Sequence, residues 1–223
     1  MIQDGTGGCS NDKTVRVWSG RDGTHLRTLE GHTRGVHCLA VSSLHVVYSG
    51  SWDHSVRVWR CSDGTHLRTL KGHTDAVMCV TCGADGTVYT GSKDQTIRVW
   101  DGSNGAALAT LHGHTHEVYA VVVVGDGTII SGARDRTIRV WCGQQKACIK
   151  TLQGHTSTIF SLAVGKDGRL FSGSFDKTVR VWNVKTGKEL HTLNTKFGVD
   201  CLAVGEDGRM YCGGRDNASI GVW

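Results

Sequence analysis

The chain has 223 residues and a formal net charge of +5, with 39% hydrophobic and 20% charged residues. This balance excludes an intrinsically disordered chain, and the length is sufficient for one large domain that needs neither a metal nor a disulfide to fold. Glycine is abundant, at 31 residues, and proline is absent, which excludes collagen and proline-rich linkers.

Taken in chain order, the predicted elements are all β-strands. The first is Val15–Trp18, and a second follows at 26–29. The segment between 72 and 111 shows the pattern best, with strands predicted at Val77–Cys82, 88–91, 97–100 and Ala107–Leu111. Asp-Gly and Asn-Gly pairs between β-branched runs are strong hairpin signals. No stretch has the spacing of an amphipathic helix, so the sequence predicts an all-β protein.

The sequence repeats with a fixed period. Six tryptophans stand at positions 18, 59, 100, 141, 182 and 223, and every interval is 41 residues. The same interval separates the pairs Gly31-His32, Gly72-His73, Gly113-His114 and Gly154-His155. A period of this length is typical of folds whose units pack side by side. We therefore predict one domain over 1–223, with units at approximately 1–30, 31–71, 72–112, 113–153, 154–193 and 194–223.

With four short strands per unit, an opening Gly-His and a closing Trp, the chain resembles the WD-repeat β-propeller family. The resemblance implies four-stranded antiparallel blades arranged in a ring. Five complete units would leave part of the 223 residues unused, and six would need more. We therefore expect an incomplete or unusually closed ring, with five to six blades represented. An incomplete ring would expose strand edges and favour self-association.

Four sets of polar residues recur at the same spacing within the units. They are His32, Ser49, Asp53 and Trp59; His73, Thr90, Asp94 and Trp100; His114, Ser131, Asp135 and Trp141; and His155, Ser172, Asp176 and Trp182. In the family such a set forms a buried hydrogen-bond chain, so the resemblance implies structural tetrads. The alternative is a Ser-His-Asp catalytic site. An enzyme has no use for four identical sites, and we favour the structural role. The last unit lacks Gly-His, and its polar chain is predicted to be broken.

When the units are aligned, some equivalent positions, here called columns, vary strongly. In the family these positions surround the top opening and contact partners. One column precedes the Asp of each unit and another lies near the start of the first strand. A third column, two residues before the second, contains Glu117. The predicted partner-binding rim consists of Trp52, Lys93, Arg134, Phe175, Arg215, His37, Met78, Tyr119, Phe160 and Asp200.

The resemblance and the rim predict a non-catalytic scaffold that docks a protein or peptide on the top face. Lys93, Arg134 and Arg215 favour an acidic or phosphorylated partner. One alternative is an enzyme built on a propeller, and another is a nucleic-acid-binding propeller. Nucleic acid is disfavoured because the most regular basic column, the arginine two residues before each Trp, has the invariance of a structural position.

The spacing of the cysteines and the length of the apolar runs indicate whether the chain binds a metal and whether it spans a membrane. Cys79 and Cys82 have metal-knuckle spacing, but they fall in a predicted strand, where residues three apart face opposite sides. We expect no metal and no cofactor. The longest apolar run, 118–124, is far shorter than the roughly 20 residues of a membrane span. No signal peptide is visible, so we expect no membrane association and a cytoplasmic location, with the nucleus as the alternative.

Overall fold

The computed structural model describes residues 10–43, 45–205, 207–214 and 220–222. These residues form strands and turns with no helix among them, which confirms the prediction of an all-β protein. Accordingly, the described part contains no helix of the length and apolar character needed to cross a membrane.

The strands form six antiparallel sheets, which we call blades 1 to 6 in chain order. Blade 1 has β1 (Val15–Trp18) and β2 (His25–Leu29). Blade 2 has β3 (Val36–Val41), β4 (Val46–Ser51), β5 (Ser55–Arg60) and β6 (His66–Lys71). Blade 3 has β7 (Val77–Cys82), β8 (Thr87–Ser92), β9 (Ile97–Asp101) and β10 (Ala107–Leu111).

The remaining blades continue this order. Blade 4 has β11 (Val118–Val123), β12 (Ile129–Ala133), β13 (Ile138–Cys142) and β14 (Ala147–Leu152). Blade 5 has β15 (Ile159–Val164), β16 (Arg169–Ser174), β17 (Thr178–Asn183) and β18 (Glu189–Asn194). Blade 6 has β19 (Cys201–Val204), β20 (Met210–Gly213) and β21 (Ile220–Val222). In every blade consecutive strands pair, so each blade is a simple meander.

Neighbouring blades pack through a glycine in the second strand of each complete blade. A Cβ atom at Gly91 would lie 2.7 Å from Cγ1 of Val118, the first residue of β11 in the next blade. Gly50, Gly132 and Gly173 face Val77, Ile159 and Val199 of the following blade in the same way. The four joints from blades 1–2 to blades 4–5 each also bury a tryptophan, such as Trp100, against the preceding blade. Full burial of one such apolar side chain contributes about 1.5–3 kcal/mol to stability, and the same contribution recurs at each joint that buries a tryptophan.

A basic side chain on the outer strand spans three of the joints. Arg27 donates to the carbonyl of Cys61, Arg68 to that of Gly102 and Lys150 to that of Lys185. Each stem lies against a turn glycine of the next blade; a Cβ at Gly105, for example, would lie 2.9 Å from Cδ of Arg68. The joint of blades 3 and 4 differs, because Ala109 replaces the basic residue and Lys146, at φ 55°, replaces the glycine.

The first strands of blades 2 to 6 surround a common cavity of about 530 Å³. Each of these strands packs against the next one, in the order β3, β7, β11, β15 and β19. The described strands do not form a closed ring. On blade 6, Cys201 is exposed, whereas Cys38 and Cys79 at the same repeat position are buried. Residues at this repeat position are therefore tightly packed only in the blades whose first strand a following blade covers.

Candidate functional site

Hydrogen bonds link the four members of each predicted tetrad. In blade 3, Nε1 of Trp100 donates to Oγ1 of Thr90 at 2.9 Å, and this hydroxyl lies 2.8 Å from Nε2 of His73. Nδ1 of His73 lies 2.7 Å from the carboxylate of Asp94. The corresponding contacts in blades 2, 4 and 5 are His32–Ser49, His32–Asp53 and Trp59–Ser49; His114–Ser131, His114–Asp135 and Trp141–Ser131; and His155–Ser172, His155–Asp176 and Trp182–Ser172.

The carboxylate of Asp94 is the most heavily bonded member of its tetrad. It accepts hydrogen bonds from the backbone N–H of Thr74 and Thr96 and from the hydroxyl of Thr96, in addition to His73. Burial alone raises the pKa of this carboxyl, but the hydrogen bonds from His73 and Thr96 outweigh burial and hold the pKa well below its ordinary value. Asp94 therefore stays ionised and fixes the turn between β8 and β9.

That turn places the adjacent residues of the rim. In blades 2 to 5, the residue before the tetrad Asp donates its backbone N–H to a carbonyl in the loop that leads into the first strand of the same blade. The pairs are Trp52 to Gly35 at 3.0 Å, Lys93 to Ala76 at 2.9 Å, Arg134 to Glu117 at 2.9 Å and Phe175 to Thr158 at 2.9 Å. In blades 2 to 5, two loops are thereby joined side by side, one carrying the variable position before the tetrad Asp and the other carrying the third variable position.

The second rim column coincides with a β-bulge. In β3, β7, β11 and β15 the pairing register shifts around one residue, which is His37, Met78, Tyr119 or Phe160. A bulged residue has no direct partner on the neighbouring strand, so its side chain can be directed away from the regular pleat. The sequence period identified this column, but nothing in the sequence indicated the bulge.

On blades 2 and 3 the rim carries an exposed tryptophan with a cation over its ring. Trp52 is 42% exposed, its ring lies 6.4 Å from that of His37, and Nζ of Lys93 lies 4.8 Å from the ring centroid. Met78 is only 5% exposed, so in this structure it offers little surface to a partner. The other predicted members of this segment are accessible.

On blades 4 and 5 the rim carries a row of aromatic rings. The rings of Tyr119 and Phe160 are 4.9 Å apart, and those of Phe160 and Phe175 are 6.4 Å apart, both edge to face. Phe175 is 52% exposed, and its ring lies against Gly198 of the following loop, where a Cβ would come within 2.7 Å of Cδ2. Beside this row, Nη1 of Arg134 lies 2.8 Å from the carboxylate of Glu117.

The family model described as WD domain, G-beta repeat, matches residues 23–60, 64–101, 105–142 and 146–183. The chain belongs to the WD-repeat family. A search of curated proteins found no match. WD repeats generally serve as scaffolds for protein interactions, and family members are typically not enzymes.

Within this WD-repeat chain, the described tetrads do not have the accessibility that a catalytic triad needs. Ser49, Thr90, Ser131 and Ser172 are fully buried, and each hydroxyl already bonds a tryptophan and a histidine. A nucleophile must reach its substrate, so this geometry favours the structural role. Within the described ranges, no group of three or more His, Cys, Asp or Glu side chains is arranged to hold a metal ion.

Two predicted rim residues of the last blade, Arg215 and Asp200, differ from the others in what the structure describes of them. Arg215 lies outside the described residues. Asp200 is half-buried, lies directly before the first strand of blade 6 and donates its backbone N–H to the carbonyl of Gly213 at 2.9 Å. Exposed Arg136 and Lys177, each directly after a tetrad Asp, also lie next to the rim, and the sequence interpretation missed them.

Proposed function

We propose that this WD-repeat chain is a non-catalytic scaffold that docks a protein or peptide on the rim formed by the turns before the tetrad aspartates. The observation that carries the proposal is the exposure of two large aromatic side chains, Trp52 and Phe175, on turns held by hydrogen bonds. Rigid exposed aromatics supply contact area at low entropic cost, which is why they are frequent binding hot spots.

The aromatic row on blades 4 and 5 supports one anchoring position. A partner side chain placed against Phe175 would contact a ring already buttressed by Phe160 and by the backbone of Gly198. Little conformational freedom remains to be lost there on binding. We propose that this position takes an aromatic or aliphatic side chain of the partner.

The charges around the aromatic row support an acidic or phosphorylated partner. Arg134, Arg136 and Lys177 are exposed and come from the turns of blades 4 and 5. Nucleic acid is less well supported, because Arg57 and Arg98 of the regular basic column pack over Trp59 and Trp100 of their own blades. A cytoplasmic or nuclear location remains part of the proposal.

Self-association is a second part of the proposal. Trp18 and Cys201, on blades 1 and 6, are exposed, whereas their equivalents in the intervening blades are buried. Such surfaces can pair with another copy. Sedimentation at increasing protein concentration tests this: a mass that rises with concentration supports it, and a constant monomer mass contradicts it.

The docking proposal is tested with a peptide array followed by affinity measurements on two matched variants. Phe175→Ala removes an aromatic that is 52% exposed on the rim, and Leu108→Ala removes an aliphatic that is 54% exposed on the outer strand β10. Phe175→Ala should weaken binding of the selected peptides by about 2 kcal/mol, and Leu108→Ala should leave binding unchanged. Equal affinities for Phe175→Ala and wild type would contradict the proposed site.

A further inference from the structure

The contact between Arg134 and Glu117 is a feature of blade 4 alone among the rim positions described. Where Arg134 faces Glu117, the equivalent residues Trp52, Lys93 and Phe175 face Gly35, Ala76 and Thr158. Blade 4 therefore holds the one described rim pair of this kind in which both members are charged. The two residues are joined twice, by the backbone hydrogen bond at 2.9 Å and by the ion pair at 2.8 Å.

Glu117 is held as a ready-made ligand for Arg134. Burial acts to raise the pKa of the Glu117 carboxyl, but its own backbone N–H, the Arg134 guanidinium and nearby His116 together lower it. The carboxylate is thus ionised at neutral pH and already positioned. The Arg134 side chain is 57% exposed, so the remaining N–H donors face solvent.

A single carboxylate from a partner would gain little at this position. To bind Arg134 it must replace one carboxylate with another, and the displaced or adjacent Glu117 repels it. The intramolecular carboxylate is tethered by its backbone, whereas the partner's must be immobilised. An exposed ion pair is worth little even without such competition.

A phosphate group differs from a carboxylate in charge and in the number of its oxygens. At neutral pH it carries about −1.5 to −2 charges and three strong acceptor oxygens. Arg136 lies in the same turn as Arg134, is exposed, and forms no ion pair in the part of the chain described. Asp135, between them, is directed inward, where His114, Thr115 and Thr137 bond its carboxylate. Two guanidinium groups and one carboxylate therefore leave a net positive site for a dianion.

We infer that Glu117 is a specificity-determining residue, which makes the rim select a phosphorylated segment of the partner over a merely acidic one. This inference rests on the proposed docking function of the rim. Tyr119 follows Glu117 by two residues on the same edge of blade 4 and begins the aromatic row, so the phosphate site adjoins the apolar anchor.

The test uses three degenerate peptide libraries that are identical except for a fixed central residue, which is Ser, Glu or phosphoserine. Binding is measured by fluorescence anisotropy with wild type, Glu117→Gln and Arg134→Gln. Glu30→Gln is the matched control, because it removes one exposed carboxylate that pairs with no rim cation in the described structure.

With wild type, the Glu library should bind within about twofold of the Ser library, and the phosphoserine library at least about fivefold more tightly. Glu117→Gln should give the Glu library a threefold to fivefold advantage over Ser, whereas Glu30→Gln should not. Arg134→Gln should reduce the preference for phosphoserine to below about twofold.

Equal binding of the Glu and phosphoserine libraries by wild type would overturn the inference, as would Glu117→Gln behaving like Glu30→Gln. Absence of binding by all three libraries would also overturn it. If the libraries bind without preference and Phe175→Ala abolishes that binding, the phosphate inference fails and the docking function stands. If binding is unaffected by Phe175→Ala, the docking function itself fails.

Discussion

Removal of the Asp94 carboxylate should destabilise the protein strongly, because four hydrogen bonds end on it. In Asp94→Ala the ring nitrogen of His73, 2.7 Å from the carboxylate in the intact protein, keeps only a long 3.5 Å contact with the Thr96 hydroxyl in a buried position. The backbone N–H of Thr74 and the backbone and hydroxyl of Thr96 lose an acceptor as well, but water can reach those groups more easily.

The magnitude follows from the buried donor and the charge-assisted bonds. An unsatisfied buried polar group costs about 1–3 kcal/mol, and a hydrogen bond to a charged group contributes about 1.5–3 kcal/mol. The total agrees with the roughly 3–5 kcal/mol for breaking a buried ionic network from one side. In a chain of this size, about 1 kcal/mol corresponds to 2–4 °C, so the melting temperature should fall by roughly 6–20 °C.

The assay is urea and thermal unfolding followed by circular dichroism, with Asp12→Ala as the control. Asp12 occupies the same turn position in blade 1 and bonds Thr14 and Arg16, but it is exposed and has no tetrad histidine. Asp12→Ala should lower stability clearly less than Asp94→Ala. Equal losses from the two substitutions would refute the assignment of the tetrads as buried structural braces.

Three further outcomes are expected. Burial raises and hydrogen bonding more strongly lowers the pKa of the four tetrad aspartates, to below the ordinary value of about 4. Their stabilisation is therefore complete above that value and is lost as the pH falls below it, and urea midpoints at pH 7, 5 and 3 should decline only at pH 3; a flat profile would contradict this. Ala109→Arg should cost about 1–3 kcal/mol, because Lys146 stands where the other joints have the turn glycine against which the basic stem packs, and adding Lys146→Gly should recover stability. Additive effects of the two substitutions in a double-mutant cycle would argue against this contact. Burial raises the pKa of the Cys79 thiol to about 12, so it should react with a maleimide only after unfolding, whereas exposed Cys148 should react at once, as peptide mass spectrometry can establish.

The repeat explains why so much of the fold is visible in the sequence. Strands such as Val77–Cys82 and Ala107–Leu111 were predictable with their bounds, because turn residues and β-branched runs recur at one interval. The hydrogen-bonded tetrads could be predicted from the sequence for the same reason. Residues that occur in every unit reveal what every blade requires, and four copies average out the ambiguity of a single motif.

The rim was only partly predictable, because its geometry depends on features that single residues do not encode. Met78 and Tyr119 occupy equivalent positions, each at the bulge of its own strand, yet Met78 is buried and Tyr119 is half-buried beside Phe160. Which of them is accessible depends on the neighbouring loops. The charge of Glu117 was evident, but its ion pair with Arg134 depends on the backbone hydrogen bond that joins two loops 17 residues apart. Exposure and pairing across blades are tertiary properties.

Docking on the rim is tested most directly by photo-crosslinking from two positions of matched exposure. A photoreactive phenylalanine analogue is placed at Phe175 on the rim or at Leu108 on the outer strand, and each protein is irradiated with a partner peptide selected from the array. A covalent adduct should form from the rim position and none from the outer strand. An adduct from the outer strand alone would place the binding surface on the side of the blades and contradict docking on the rim.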